Sequence, residues 1–123
     1  RPISPYMKIT HFAHVNNPPE AVAAAAKAWL IEESEGIEPT ITRDAENRQL
    51  LMIETEVDCV LITTGYIVSP ADTGTDVRFL LEMRGTTMLS RFRNLGMNIA
   101  RKVVAQGTEA SFRHFIDELT ESQ

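Results

Sequence analysis

Three arginines with the chemistry to bind an anion, Arg84, Arg91 and Arg93, lie where a predicted strand gives way to a predicted helix. Positive charge in the first turn of a helix opposes the helix dipole, so the helix gains no stability from this placement. In one interpretation the arginines pair with acidic residues of neighbouring strands or are solvated. In the other, Arg84 or Arg91 holds a carboxylate or phosphate group at the mouth of a pocket.

Two acidic residues, Glu54 and Glu56, have the chemistry for proton transfer. They share one face of a predicted strand, and the simplest interpretation is that they face water. If that face lined a pocket, burial would raise the pKa of one carboxyl and suit it to general-base catalysis. Asp58 or a histidine is a further candidate. The catalytic residues therefore stay unassigned, and whether the chain is an enzyme stays open.

The histidines and the single cysteine form no metal or nucleophile motif. His11 and His14 lie three residues apart on a predicted strand, hence on opposite faces, and His114 is far along the chain. Cys59 has no histidine near it in the sequence, and neither a Gly-x-Ser-x-Gly pattern nor a glycine-rich phosphate loop is present. The sequence therefore predicts no metal site and no cofactor.

Length and composition predict one globular domain. The chain has 123 residues, 43% of them hydrophobic and 24% charged, which suffices to bury a core without crosslinks. Residues 7–123 are predicted to form this domain, and residues 1–6 to be an N-terminal arm or a cloning remnant. The net charge of −5 argues against nucleic-acid binding, and no apolar run reaches the roughly 20 residues of a membrane span. A single cysteine cannot form an intrachain disulfide, which fits a cytoplasmic location.

Apolar and polar residues alternate in the way that is typical of strands. The predicted strands cover residues 7–16, 39–43, 48–57, 59–68 and 75–84. The last four are joined by short connections, so consecutive strands are predicted to pair antiparallel.

The first helix has clear start and stop signals. Asn17 supplies a capping side chain, and Pro18 and Pro19 suit a first helical turn. The helix is predicted to run from there to about Glu33 and to end before Gly36.

The predicted strand at 59–68 is apolar on both faces, so we expect it in the centre of the sheet with both sides covered. Gly65 within it predicts a bend or a bulge. In the last strand, one set of alternate residues is predicted to face the core: Val77, Phe79, Leu81 and Met83.

A long amphipathic helix is predicted from about residue 87 to residue 121. Its first apolar stripe has helical spacing and is predicted to pack on the sheet; it contains Met88, Phe92, Leu95, Ile99 and Val103. A second stripe falls on nearly the opposite side of a straight helix, and contains Phe112, Phe115, Ile116 and Leu119. The helix is therefore predicted to bend near Gly107, or to meet another chain, as in a homodimer, through the second stripe.

The element order and three short motifs resemble the START-like superfamily of polyketide cyclases and lipid-transport proteins, which shares the helix-grip fold with the birch-pollen allergen family. The motifs are the Asn-Pro-Pro-Glu-Ala-Val helix entry at 17–22, the Gly-Thr-Asp-Val turn within 71–79, and the closing helix at 112–119. The resemblance implies an α+β fold in which an antiparallel sheet wraps around a long C-terminal helix and a short helix follows strand one. Members usually have six or seven strands, and the segment 31–53 is too short to hold all of them.

The resemblance also implies a hydrophobic pocket between the sheet and the last helix, which holds a lipid, polyketide, hormone or aromatic compound. We expect its walls and mouth to come from the last strand and the last helix, namely from Phe79, Leu81, Met83, Arg84, Met88, Arg91, Phe92 and Leu95. The leading hypothesis is a protein that binds a small hydrophobic or amphipathic ligand, with an acidic end of the ligand at the arginines. Two alternatives are a polyketide cyclase- or dehydratase-like enzyme, and a dimeric protein-interaction module that uses the second helical stripe.

Overall fold

The computed structural model describes residues 6–57, 59–85 and 97–121, which form five strands and two helices. Their order along the chain is β1 (Tyr6–Val15), α1 (Pro19–Glu33), β2 (Thr40–Arg43), β3 (Gln49–Val57), β4 (Val60–Pro70), β5 (Thr75–Gly85) and α2 (Met97–Glu121).

The five strands form one antiparallel sheet in the order β1-β5-β4-β3-β2. Strands β2 to β5 form a meander of sequence neighbours, whereas β1 pairs with β5, so that His11 lies opposite Phe79. Both helices pack on one face, with α1 over β3 and β4 and α2 over β1. The predicted α+β class, with a helix after strand one and a C-terminal helix packed on an antiparallel sheet, is confirmed.

The first helix begins as the prolines predict, but its cap differs from the prediction. Pro18 is the capping residue, with an extended backbone, and Pro19 occupies the first turn. Asn17 does not cap the helix; its buried side-chain amide donates a hydrogen bond to the Leu119 carbonyl (3.2 Å). Its own carbonyl accepts one from the Thr75 hydroxyl (2.7 Å). Asn17 therefore ties the end of β1 to the start of β5 and to the last turn of α2.

Two glycines have distinct roles in the sheet. Gly74 has a φ of 74°, and a Cβ there would run into the Val15 carbonyl oxygen, so the β4–β5 turn requires glycine. Gly65 lies in an unbroken register between Met52 and Leu80, so the predicted bulge is absent from β4. A Cβ at Gly65 would run into the Leu51 carbonyl oxygen, which shows that this glycine permits close approach of two strands.

The apolar face that α2 presents to the core lies in its C-terminal half. Phe112, Phe115 and Leu119 are at most 6% exposed, whereas Val103 is 68% exposed. The prediction that the first apolar stripe packs on the sheet is therefore wrong at Val103. The core-facing residues of α2 belong instead to the second stripe. The rest of the first stripe lies outside the described side chains: Met88, Phe92, Leu95 and Ile99.

The second stripe is buried without a second chain because α1 and the sheet together surround it. Phe115 contacts Trp29 of α1 and Tyr66 of β4, with ring centroids 5.4 and 5.0 Å apart. Tyr66 also contacts Phe79 edge to face at 5.5 Å. The helix assignment is continuous through Gly107, and such aromatic pairs stabilise the fold beyond the area that they bury.

The described helices leave the other face of the sheet uncovered. That face carries Phe12, 60% exposed, and the partly buried Leu61 and Ile67 of β4. The central position predicted for β4 is confirmed, but among the described elements the helices cover one of its faces and not both. Neither described helix is long and apolar enough to cross a membrane.

Replacement of Phe115 by alanine should lower the free energy of unfolding by about 3–5 kcal/mol, because it leaves a cavity among packed aromatic rings. The matched change Val103→Ala, on the exposed side of the same helix, should alter it by less than about 0.5 kcal/mol. Urea unfolding followed by circular dichroism measures both. Equal effects of the two substitutions would show that the C-terminal half of α2 is not the core-facing half.

Candidate functional site

A partly open cavity of about 300 Å³ lies between the sheet and both helices. Two strands supply its floor, α1 one wall and α2 the other. Its lining residues are Thr64, Tyr66, Phe79 and Leu81 from the strands, Trp29, Leu30 and Glu33 from α1, and Gly107, Thr108 and Ser111 from α2.

The cavity extends along α1 towards β3. A second groove of about 260 Å³ shares Leu30, Glu33 and Thr64 with the first, and adds Ile53 and Thr55 of β3 among its walls. The two together give an elongated site under the C-terminal end of α1.

The sequence of α2 explains why a gap exists here. Phe115, Ser111 and Gly107 lie four residues apart, hence in one row along the helix. Their side chains shrink from a phenyl ring to a hydroxymethyl group to a hydrogen atom, so α2 fills the space above the sheet at one end of the row and leaves it open at the other. A Cβ at Gly107 would meet no described heavy atom within 4 Å beyond its neighbours along the helix.

Tyr66 brings a polar group into the floor of this cavity. The residue is 1% exposed, and burial together with the nearby Glu33 carboxylate raises the pKa of its phenol well above the usual value. No described residue hydrogen bonds to its hydroxyl. If that oxygen were inaccessible to solvent, it would be a buried atom without a partner, but among the described residues the side-chain atom of that kind is Asn17 Oδ1. The Tyr66 hydroxyl therefore reaches the cavity.

His11 of β1 contacts the α2 wall of the cavity at Thr108. Its Nε2 lies 2.8 Å from the Thr108 hydroxyl, and its ring stacks on Phe79 and Phe112 at 5.7 and 5.9 Å. The Thr108 hydroxyl also donates to the Ala105 carbonyl (3.1 Å), so in that arrangement Nε2 carries the proton and donates to Thr108. Burial lowers the pKa of His11; Glu109 raises it and Arg113 lowers it to smaller extents.

The site residues expected from the sequence fall into three groups. Phe79 and Leu81 line the cavity. Met83 shares their sheet face and is partly buried against the core, but the cavity does not extend to it. Arg84 is exposed on the opposite face, because β5 alternates inward and outward, so it does not stand at the mouth of this cavity. The others lie outside the described residues: Met88, Arg91, Phe92 and Leu95.

The candidate proton-transfer residues that the structure describes are not among the cavity-lining residues. Glu54 and Glu56 are exposed on the sheet face away from the helices, and Asp58 lies outside the described residues. His14 is exposed and lies 2.8 Å from Asp76. Within the described ranges, no group of three or more histidine, cysteine, aspartate or glutamate side chains is placed to hold a metal ion.

The cavity residues that come from α1 and α2 were not predicted, although the sequence contains a pattern that points to them. Glu33 follows Trp29 by four residues, and Ser111 follows Gly107 by four, so each pair lies on one helical face. A small or polar residue on the same helical face as a large apolar one indicates a place where the helix leaves space in the core. This pattern predicts cavity residues only when the core-facing side of the helix is known.

Comparisons of the chain with protein-family models, with curated proteins and with solved structures gave no significant match. The functional interpretation therefore depends on the geometry and chemistry of the cavity.

The lowered pKa of His11 predicts a specific acid sensitivity. Because its pKa is lower in the folded protein, the His11 ring takes up a proton more readily in the unfolded chain. The contribution of neutral His11 to the free energy of unfolding is therefore complete above the ordinary pKa of 6.5 and is lost as the pH falls from 6.5 towards the lower pKa of the folded protein. Between about pH 7.5 and about pH 5.5, His11→Gln, which keeps a neutral partner for Thr108, should lose less unfolding free energy than the wild type.

Urea unfolding of both proteins at several pH values measures this difference. The carboxylates titrate in both proteins, so their effect on stability cancels when the two are compared. NMR titration of the His11 ring provides a direct control. A midpoint at or above 6.5, or equal pH dependence of the two proteins, would contradict the prediction.

Proposed function

We propose that this protein binds a small hydrophobic or amphipathic molecule in the cavity between its sheet and its two helices. The observation that carries the proposal is the cavity itself, about 300 Å³ in volume and extended by a second groove. Ligand sites of small molecules occupy about 300–1,000 Å³, are mostly apolar, and contain a few polar groups that orient the ligand. The aromatic and leucine walls with a few hydroxyl groups fit that description.

The placement of the cavity also supports the proposed relation to START-like proteins. The resemblance implies a ligand between the sheet and the last helix, and the gap created by Ser111 and Gly107 is at that place. The contribution of α1 is larger than expected, since Trp29, Leu30 and Glu33 form a whole wall.

Neither alternative function has a specific observation in its favour. The enzyme hypothesis needs one of its predicted proton-transfer groups in the cavity. Glu54 and Glu56 lie on the other side of the sheet, no histidine is among the described lining residues, and Asp58 lies outside the described residues. The interaction-module hypothesis needs an exposed second helical stripe, and Phe112, Phe115 and Leu119 are core residues. A binding role requires only the shape and lining that are present.

Filling the cavity from its α2 wall tests the proposal. In Gly107→Leu, the new side chain would project from a cavity-lining position, so binding of a neutral apolar alcohol such as 1-octanol should weaken about tenfold or more, equivalent to ~1.4 kcal/mol. Trp29, the single tryptophan and a lining residue, reports binding through its fluorescence.

Gln106→Leu is the matched control, because it adds the same side chain to the neighbouring exposed position outside the cavity lining. It should bind octanol as the wild type does. Equal binding by both variants would reject this cavity as the site, and no saturable binding by the wild type, checked by calorimetry, would reject the proposed function.

A further inference from the structure

The described residues that line the cavity carry net negative charge. Glu33 is the charged residue among the described side chains that line the cavity and its extension, and no basic side chain of the described part lines either. Glu33 is also the last residue of α1, and the C-terminus of a helix carries partial negative charge that favours cations.

Two basic side chains of the helices form ion pairs with carboxylates other than Glu33. Lys27 of α1 lies 3.8 Å from Glu38, and Arg113 of α2 lies 3.7 Å from Glu109. No ion pair within the described ranges involves Glu33. A charged group that enters the cavity therefore meets a carboxylate that no cation of the described residues pairs with.

The Tyr66 hydroxyl is a second, independent indication of a ligand group. It is held in an almost completely buried residue, lines the cavity, and has no partner among the described residues. A hydroxyl in a mostly apolar cavity has few groups to hydrogen bond with, and a ligand group that hydrogen bonds to it would gain affinity. A phenol oxygen accepts as well as donates, so it can serve an N–H group.

A protonated amine matches these groups, and a carboxylate does not. An ammonium group has N–H donors for the Glu33 carboxylate and for the Tyr66 oxygen, and the Trp29 ring in the same wall adds an aromatic surface that attracts cations. A ligand carboxylate would be repelled by Glu33 and would lose hydration in an apolar cavity. Of the arginines expected to hold an acidic ligand, Arg84 lies on the other sheet face, and Arg91 and Arg93 lie outside the described residues.

We propose that the cavity selects an amphipathic amine, with an apolar or aromatic body and one protonated amino group, over the corresponding acid. This inference rests on the proposed function, because it specifies the ligand class of the same site. Glu33 and Tyr66 hold the amino group, and the apolar body lies against Phe79 and Leu81.

Three probes with one shared ring system separate the ligand classes: 1-naphthylmethylamine, 1-naphthylmethanol and 1-naphthoate. Isothermal titration calorimetry at neutral pH and low salt should give the affinity order amine, alcohol, acid. Glu33→Gln should weaken amine binding by about threefold to tenfold, a range that allows for solvent screening of an exposed carboxylate, and should not weaken alcohol binding.

Glu32→Gln is the matched control, because it removes the same charge from the neighbouring residue, which lies outside this cavity. It should change amine binding much less than Glu33→Gln does. Tyr66→Phe should weaken both the amine and the alcohol, since both use the hydroxyl. Unfolding curves of each variant show whether it is folded.

The outcomes distinguish the two proposals. If the alcohol binds and the acid binds as tightly as the amine, the proposed function stands and the amine preference is wrong. Equal losses in Glu33→Gln and Glu32→Gln would likewise overturn it, because net charge would then explain the effect. If none of the three probes binds to the wild-type protein, the proposed function itself is wrong and the amine inference falls with it.

Discussion

Packing of two helices on one face of a single sheet is the constraint on which the rest of this structure depends. The described helices cover one face of the sheet, so α1 and α2 share the same apolar surface and contact each other above it where Trp29 meets Phe115. The aromatic rings of Phe112 and Phe115 lie where the two helices and the strands converge, and Tyr66 connects them to β4. Asn17 fixes the same end of the assembly, because its amide holds the last turn of α2 against the start of α1.

The cavity is a direct consequence of that arrangement. At the C-terminal end of α2, the rings of Phe112 and Phe115 pack against Tyr66 of the sheet. Towards the N-terminal end of the helix, Ser111 and Gly107 continue the row of Phe115 and line the cavity. Close packing is the rule in protein interiors, so a gap with this position and lining depends on the choice of small residues at two helical positions.

The sequence predicts the elements well and their faces less well. Strand alternation, the two prolines at the start of α1, and the Gly74 turn are local signals, and they place the strand limits within two residues of the observed ones. The inward face of α2 is not a local property, because Val103 and Phe112 both belong to apolar stripes, and which one is buried depends on where the sheet ends and where α1 lies. Asn17 was misread for the same reason: its side chain uses an acceptor 102 residues away in the chain rather than the adjacent helix N-terminus. Arg84 shows the converse, since alternation alone places it on the face opposite Phe79 and Leu81, away from the cavity.

Stability alone does not explain the residues around the gap. A glycine in a helix interior destabilises it by about 0.5–1 kcal/mol relative to alanine, and a Cβ at Gly107 would meet no described heavy atom within 4 Å beyond the helix itself. Alanine would therefore fit and strengthen the helix, and a larger apolar residue would also fill empty space. On the strand floor of the same cavity, Tyr66 carries a hydroxyl without a partner among the described residues, where phenylalanine would present no polar group to the cavity. Two independent departures from the most stable choice therefore line one cavity, and such departures are expected where a site is kept open for a ligand.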